Sequence, residues 1–286
     1  MQSIQVKTMF LSMVALIAFA GNSVLCRLAL SGGAIDPAGF TVIRLLSGVV
    51  ALFPLLFLTQ GKRAFNKSGS WLSGVLLFIY AVFFSFAYVS IDTATGALIL
   101  FGVVQITLVI VNTIKGNRLN ALELLGVVLA LAGFIYLVFP ELQKPSLQGF
   151  VMMSMSGVAW ALYTVAGQGS SNALRDTAFN FLRTAPLFII VLVVSLNAIS
   201  LTSYGVLLAI ASGAITSGVG YAIWYAALPN LSTTQAGVIQ LFVPIIAAFG
   251  GVLFAGELIT PRLMVAAAFV LGGIMVVILA KEKIKS

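Results

Sequence analysis

Arg44 is the residue whose type and setting could do chemistry. It is the one charge in the stretch AGFTVIRLLSGVVALFPLLFL, about two turns from its start. A guanidinium inside an apolar segment is expensive unless it has work to do, and its planar donor fork suits a carboxylate or phosphate. Arg183, in FNFLRTAPL, stands in a similar setting about 140 residues later. Two readings stay open. The arginines are a related pair that meets an anionic group at alternate faces, or they hold helix ends and carbonyls, each snorkelling towards its nearer interface. The second is preferred for Arg44.

Three further sets of residues share faces at helical spacing. Ser156, Trp160, Tyr163 and Thr164 fall at i, i+4, i+7 and i+8, and Ser217, Tyr221, Trp224 and Tyr225 repeat that spacing. Tyr80, Phe84 and Tyr88 follow at intervals of four. Each set lies on one helical face. Aromatic faces with a few hydroxyls suit a cavity that holds the apolar body of a solute and orients its polar end. The same stripes also serve packing or anchor a helix at a membrane interface, a reading preferred for Trp71, Trp224 and Tyr225, which stand near predicted span ends.

The amides Asn22, Gln105, Asn112 and Gln240 should face the interior, where they bond a neighbouring helix or a solute. Gln240 is favoured because Pro244, one turn later, removes the donor for its carbonyl and so implies a break. The candidate solute contacts are therefore Asn22, Arg44, Tyr80, Tyr88, Trp160, Tyr163, Tyr221 and Gln240. No catalytic, metal or cofactor site is expected. The chain has no histidine and no His-Glu-x-x-His or Gly-x-Ser-x-Gly pattern, and its single cysteine, Cys26, allows neither an internal disulfide nor a thiolate cluster.

The elements that position these residues are membrane spans. Hydrophobic residues make up 61% of the 286, charged residues 8%, and mean hydropathy is +1.15, far from a soluble domain, in which about a quarter of residues are charged. With about 20 apolar residues per span, ten spans can be placed. They run over residues 9–30, 38–58, 71–91, 95–114, 122–139, 149–168, 177–196, 204–227, 234–254 and 263–280. The first is read as a retained span and not as a signal peptide. The expected fold is all-α and integral to the membrane.

Formal net charge is +8. Placing both termini in the cytoplasm puts Lys7, Lys62, Arg63, Lys67, Lys115, Arg118, Arg175, Lys281, Lys283 and Lys285 on that side and only Lys144 and Arg262 outside, as the positive-inside rule requires. That distribution removes nucleic acid as a partner. The expected partners are a small-molecule solute and the lipid bilayer, with the protein a monomer or a homodimer in the plasma (inner) membrane.

The chain also matches itself. TIKGNRLNALELLGVVLALAGFIYLV aligns with LFAGELITPRLMVAAAFVLGGIMVVI, setting Gly116 on Gly256 and Gly133 on Gly273. Two units follow, over residues 9–139 and 148–280. Five spans is an odd number, so the second unit enters the membrane inverted, as in many secondary transporters.

At these residues the sequence resembles the drug/metabolite transporter superfamily, specifically its EamA-type ten-helix members. The most specific piece runs from Pro244 through AFGGVLFAGELITPRLMVAAAFVLGGIMVVI, and Trp160 in GVAWALYTV fits the start of a second unit. The first unit departs from the pattern with Asn117 opposite Glu257 and with Ala20 where tryptophan is common. The resemblance implies a transporter and not an enzyme, commonly an exporter or facilitator of amino acids or related metabolites, working by alternating access. An exchanger of organic anions or sugar phosphates is the alternative, with a multi-span membrane enzyme as a more distant one. All seven carboxylates fall in loops or terminal turns, which favours a facilitator or exchanger over proton coupling through Glu257 or Asp92.

Overall fold

The computed structural model describes residues 2–61, 68–114, 116, 121–138, 146–231 and 233–282. Among them the chain is helical, with one isolated bridge between Ile35 and Leu201. In chain order the helices are α1 (Gln2–Ser31), α2 (Pro37–Gln60), α3 (Trp71–Tyr88), α4 (Thr93–Ile114), α5 (Ala121–Val138), α6 (Leu147–Gly167), α7 (Ala173–Arg183), α8 (Ala185–Ser195), α9 (Ser203–Ala211), α10 (Gly220–Ala227), α11 (Thr233–Gln240), α12 (Phe242–Ala255) and α13 (Pro261–Glu282). Eight helical runs among the described residues are long and apolar enough to cross a bilayer, and the apolar stretches Ala121–Tyr136 and Pro261–Val277 are shorter. The protein is an all-α, multi-pass membrane protein. In lipid, a helix satisfies its own backbone groups.

Polar caps start the helices where the sequence offers them. The Asp36 carboxylate accepts from the Gly39 amide, with Pro37 at the first helical position, and Ser70, Ser146 and Thr202 cap α3, α6 and α9 in the same way. Asp36 also reaches the amide of Ser200, and Ala34 accepts from Thr202, so the α1–α2 and α8–α9 links are tied together at one end of the bundle. At the opposite end, Asp176 accepts from Ser68, Ser170 and the Gly69 amide, and Gln60 pairs with Asn172.

Three of the expected spans, the seventh, eighth and ninth, are interrupted. The seventh divides at Thr184, just before Pro186. The ninth divides at Leu241, between α11 and α12, with Pro244 in the first turn of α12. The eighth passes through a π-helical stretch, Ser212–Val219, between α9 and α10, which spacing alone does not reveal. By contrast α2 runs unbroken through Pro54. Helices α5 and α13 pack on each other at glycines. A Cβ on Gly126 would lie 2.4 Å from the Gly273 carbonyl oxygen, and one on Gly273 would lie 2.5 Å from that of Gly126.

One placement needs correction. Trp224 and Tyr225 serve packing and not interface anchoring: both are buried, the Tyr225 ring lying 4.9 Å from that of Tyr163 at a tilt of 38° and its hydroxyl donating to the Tyr163 carbonyl. Trp71 is exposed, as an anchor would be. Glu123 lies in the first turn of α5, where the sequence places it, and is buried. Lys62, Arg63, Lys67, Lys115, Arg118, Lys144, Lys283, Lys285, Asn117 and Glu141 lie outside the described residues.

Candidate functional site

Helices α1, α3, α6 and α10 bring one ring or more each to the centre of the bundle, with α2 beside them. Tyr80 on α3 and Tyr221 on α10 meet hydroxyl to hydroxyl at 2.8 Å. Phe19 on α1 meets Trp160 on α6 edge-on at 5.2 Å. The Trp160 ring also lies 4.9 Å from Tyr80 and 4.7 Å from Tyr221, and its indole nitrogen donates to Gln240 Oε1 at 2.8 Å. The aromatic residues continue as a column in both directions. Phe84 and Tyr88 lie towards the Asp36 end, and Tyr163 and Tyr225 towards the Asp176 end.

Arg44 enters this cluster from α2. Its Nε donates to Ser217 Oγ at 3.0 Å and its Nη2 to the Tyr221 hydroxyl at 2.8 Å. The guanidinium carbon lies 5.1 Å from the centre of the Tyr80 ring and 4.8 Å from that of Phe84, within the range of attraction between a cation and an aromatic face. The residue is 1% exposed. It makes no ion pair among the described residues, and its Nη1 is buried without a hydrogen-bond partner. The expectation that Arg44 snorkels outward is therefore wrong. Tyr221 and Ser217 offer it acceptor oxygens inside the bundle.

The π-helical stretch creates this arrangement. Its sequence, SGAITSGV, places Ser212 Oγ 2.6 Å from Asn22 Oδ1 and brings Ser217 to Arg44. Asn22 in turn donates to the Tyr80 hydroxyl at 3.1 Å. Gly213 lets α2 approach closely, since a Cβ there would sit 2.0 Å from the Arg44 carbonyl oxygen.

Six of the eight residues chosen from sequence are thus joined directly: Asn22, Arg44, Tyr80, Trp160, Tyr221 and Gln240. Tyr163 adjoins Trp160 at 5.6 Å and continues the column. Tyr88 is set apart near the Asp36 end, where its carbonyl accepts from Arg27. Arg27 pairs there with Asp92 at 2.9 Å and Glu257 at 3.1 Å. Both oxygens of Glu257 accept from the Thr93 amide at the start of α4. Arg183 does not mirror Arg44. Its guanidinium donates to the Ser68 carbonyl and lies near Trp71 and Phe179.

The candidate list drawn from sequence left out Ser212, Ser217 and Phe19. The hydroxyl-rich SGAITSGV was a usable signal for the serines; Phe19, one among 21 phenylalanines, carried none. The bridge from Arg27 to Glu257 also went unread, because the partners are 230 positions apart.

Comparison with known proteins gives this architecture a family. Residues 147–279 match the model described as the EamA-like transporter family. A Pseudomonas aeruginosa protein, PA1977, is 44% identical over 272 residues, covering 95% of this chain and 94% of its own. An uncharacterized transporter of Archaeoglobus fulgidus is 28% identical over 85% of this chain and 87% of its own, and the uncharacterized transporter YoaV of Bacillus subtilis is 20% identical over 84% and 86%. One solved crystal structure superposes with a TM-score of 0.64 at 21% identity, over 94% of this chain and 98% of that one, a likeness of fold. A multi-pass helical chain with these relatives belongs to the EamA-like transporter family of the drug/metabolite transporter superfamily.

Proposed function

We propose that this transporter moves amino acids or related small polar metabolites across the plasma (inner) membrane as an exporter or facilitator. It works by alternating access between two inverted halves of five spans, residues 9–139 and 148–280. The observation that carries the reading is the central cluster, where groups from both halves face one another and polar atoms are buried among rings. Polar groups inside a membrane bundle are costly and mark solute pathways.

Several features support two related halves. Tyr80 and Tyr221 stand 141 positions apart, and Phe19 and Trp160 share that spacing. Packing of α3 on α6 has its counterpart in α1 on α10, and that of α4 on α6 in α1 on α12. Gly116 and Gly256, aligned by the repeat, have φ of 97° and 63°, a region that glycine enters without strain. The side chains of Glu257 and Arg27 hold α1 and α4 together at one end, which suits a closed external gate and leaves that carboxylate engaged. This favours facilitation or exchange over proton coupling.

The test is counterflow in proteoliposomes loaded with unlabelled amino acids. Saturable accumulation of labelled solute without an imposed pH gradient is expected. Uptake that follows only a pH gradient and is lost in Glu257→Gln would replace facilitation with proton coupling, and non-saturable flux without counterflow would indicate a channel. Reporter fusions at each end should place both termini in the cytoplasm.

A further inference from the structure

Most buried polar atoms in the central cluster have partners; Arg44 Nη1, Thr164 Oγ1 and Trp224 Nε1 do not, and of these three groups Arg44 alone carries a charge. Arg44 Nη1 is a donor held in the bundle interior with nothing to bond, on a cation with no carboxylate beside it among the described residues. Ser217 and Tyr221 hold the other side of the same guanidinium, and the Tyr80 and Phe84 rings fix its position. A buried charge without a counter-charge is unstable relative to one that is paired. From this geometry we infer that Arg44 is the recognition group for a solute carboxylate. One carboxylate oxygen bonds Nη1, and the second takes the place of the Tyr221 hydroxyl at Nη2, giving the two-point contact that a guanidinium makes best.

The inference rests on the transport reading and narrows its substrate class to small solutes bearing one carboxylate, amino acids among them. The Tyr221 hydroxyl stays satisfied when displaced, because it also bonds Tyr80 and Asn22. Among the described residues no carboxylate bonds the central cluster: Asp92 and Glu257 are committed to Arg27 at the bundle end, and Asp36 and Asp176 accept bonds in the two sets of links. A lone amine therefore meets the Arg44 charge with no compensation. The recognition is one-sided as well, since Arg183, the counterpart of Arg44 by sequence, is spent on the Ser68 carbonyl.

The experiment compares probes of matched body on the detergent-purified full chain, by melting temperature at millimolar concentration. The probes are 3-phenylpropionate, L-phenylalanine, L-alanine, 2-phenylethylamine and inorganic phosphate. The carboxylates should raise the melting temperature by a few degrees, and the amine and phosphate should not. In Arg44→Gln the apparent affinity for carboxylates should fall at least tenfold, with a smaller loss in Arg44→Lys and the response kept in Arg183→Gln. An equal shift with the amine, a shift with phosphate alone, or an undiminished carboxylate response in Arg44→Gln would each overturn the inference. Should Arg44→Gln not fold, Tyr221→Phe and the probe comparison on the unaltered chain decide it. Counterflow of a neutral or cationic solute without any carboxylate response would sink the carboxylate and leave transport standing. Absence of counterflow for every solute tested, together with no melting response, would remove both.

Discussion

At the scale of single residues, the energetics of the centre turn on hydroxyls that serve two partners. The Tyr221 hydroxyl accepts from Arg44 and donates to Tyr80. Tyr221→Phe would leave a second guanidinium nitrogen without an acceptor, and an unmet buried donor costs about 1–3 kcal/mol. A lower melting temperature is expected, with the protein still monodisperse on size exclusion. Tyr80→Phe should cost less, because the direct 2.8 Å bond from Arg44 Nη2 goes to the Tyr221 hydroxyl, while the Tyr80 hydroxyl is held by Asn22 and Tyr221. Equal losses in the two variants would contradict the assignment of Tyr221 as the partner of Arg44. The residue types at this centre were legible in the sequence, since an arginine, tyrosines and amides inside apolar spans have few other uses. That Arg44 turns inward was not legible. The choice between interface and interior depends on acceptors supplied by α10 and the π-helical stretch, more than 170 positions away.

Individual elements add constraints of close approach. Gly213→Ala forces a Cβ to within 2.0 Å of the Arg44 carbonyl oxygen, and such overpacking costs roughly 1–3 kcal/mol. Gly272→Ala on α13 meets nothing within 4 Å and should change stability by less than about 0.5 kcal/mol. Thermal melts of the two variants side by side test whether the glycine at the α2 contact matters for space. Span nine makes a second test. Pro244→Ala supplies the donor that the break at Leu241 lacks, so α11 and α12 gain the option of a continuous helix. Counterflow should slow while the melting temperature holds or rises; unchanged counterflow would show that the break has no part in transport. The break at Leu241 could be anticipated from Pro244. The π-helical stretch could not, because its extra residue per turn is set by packing against α1 and α2 and leaves no local propensity signal.

At the scale of the whole molecule, the two ends of the bundle are closed by different chemistry. One end relies on Arg27, Asp92 and Glu257, and the other on Asp176 with hydroxyls, amides and the Arg183 contact. Cys26, the single cysteine, is a built-in reporter for the first end. It is buried on α1, next to Arg27 and one turn from Asn22. Glu257→Ala removes the acceptor that joins Arg27 to the start of α4, so alkylation of Cys26 by a small maleimide should become faster. An unchanged rate would mean that this bridge does not hold the end shut.

The membrane class, the approximate extent of the spans and the family resemblance were determined by the amino-acid sequence alone. Apolar runs of bilayer length are local properties, and a repeat about 140 residues long is visible as a pattern. The tertiary structure decided which polar groups meet. It joined Asn22, Arg44, Tyr80 and Tyr221, moved Tyr88 to the bundle end, buried Trp224 and Tyr225, and gave the two aligned arginines different partners. These outcomes depend on contacts between helices far apart in the chain. A side chain inside a bundle goes to whichever acceptor its neighbours present, and helical spacing reports only the face on which it starts.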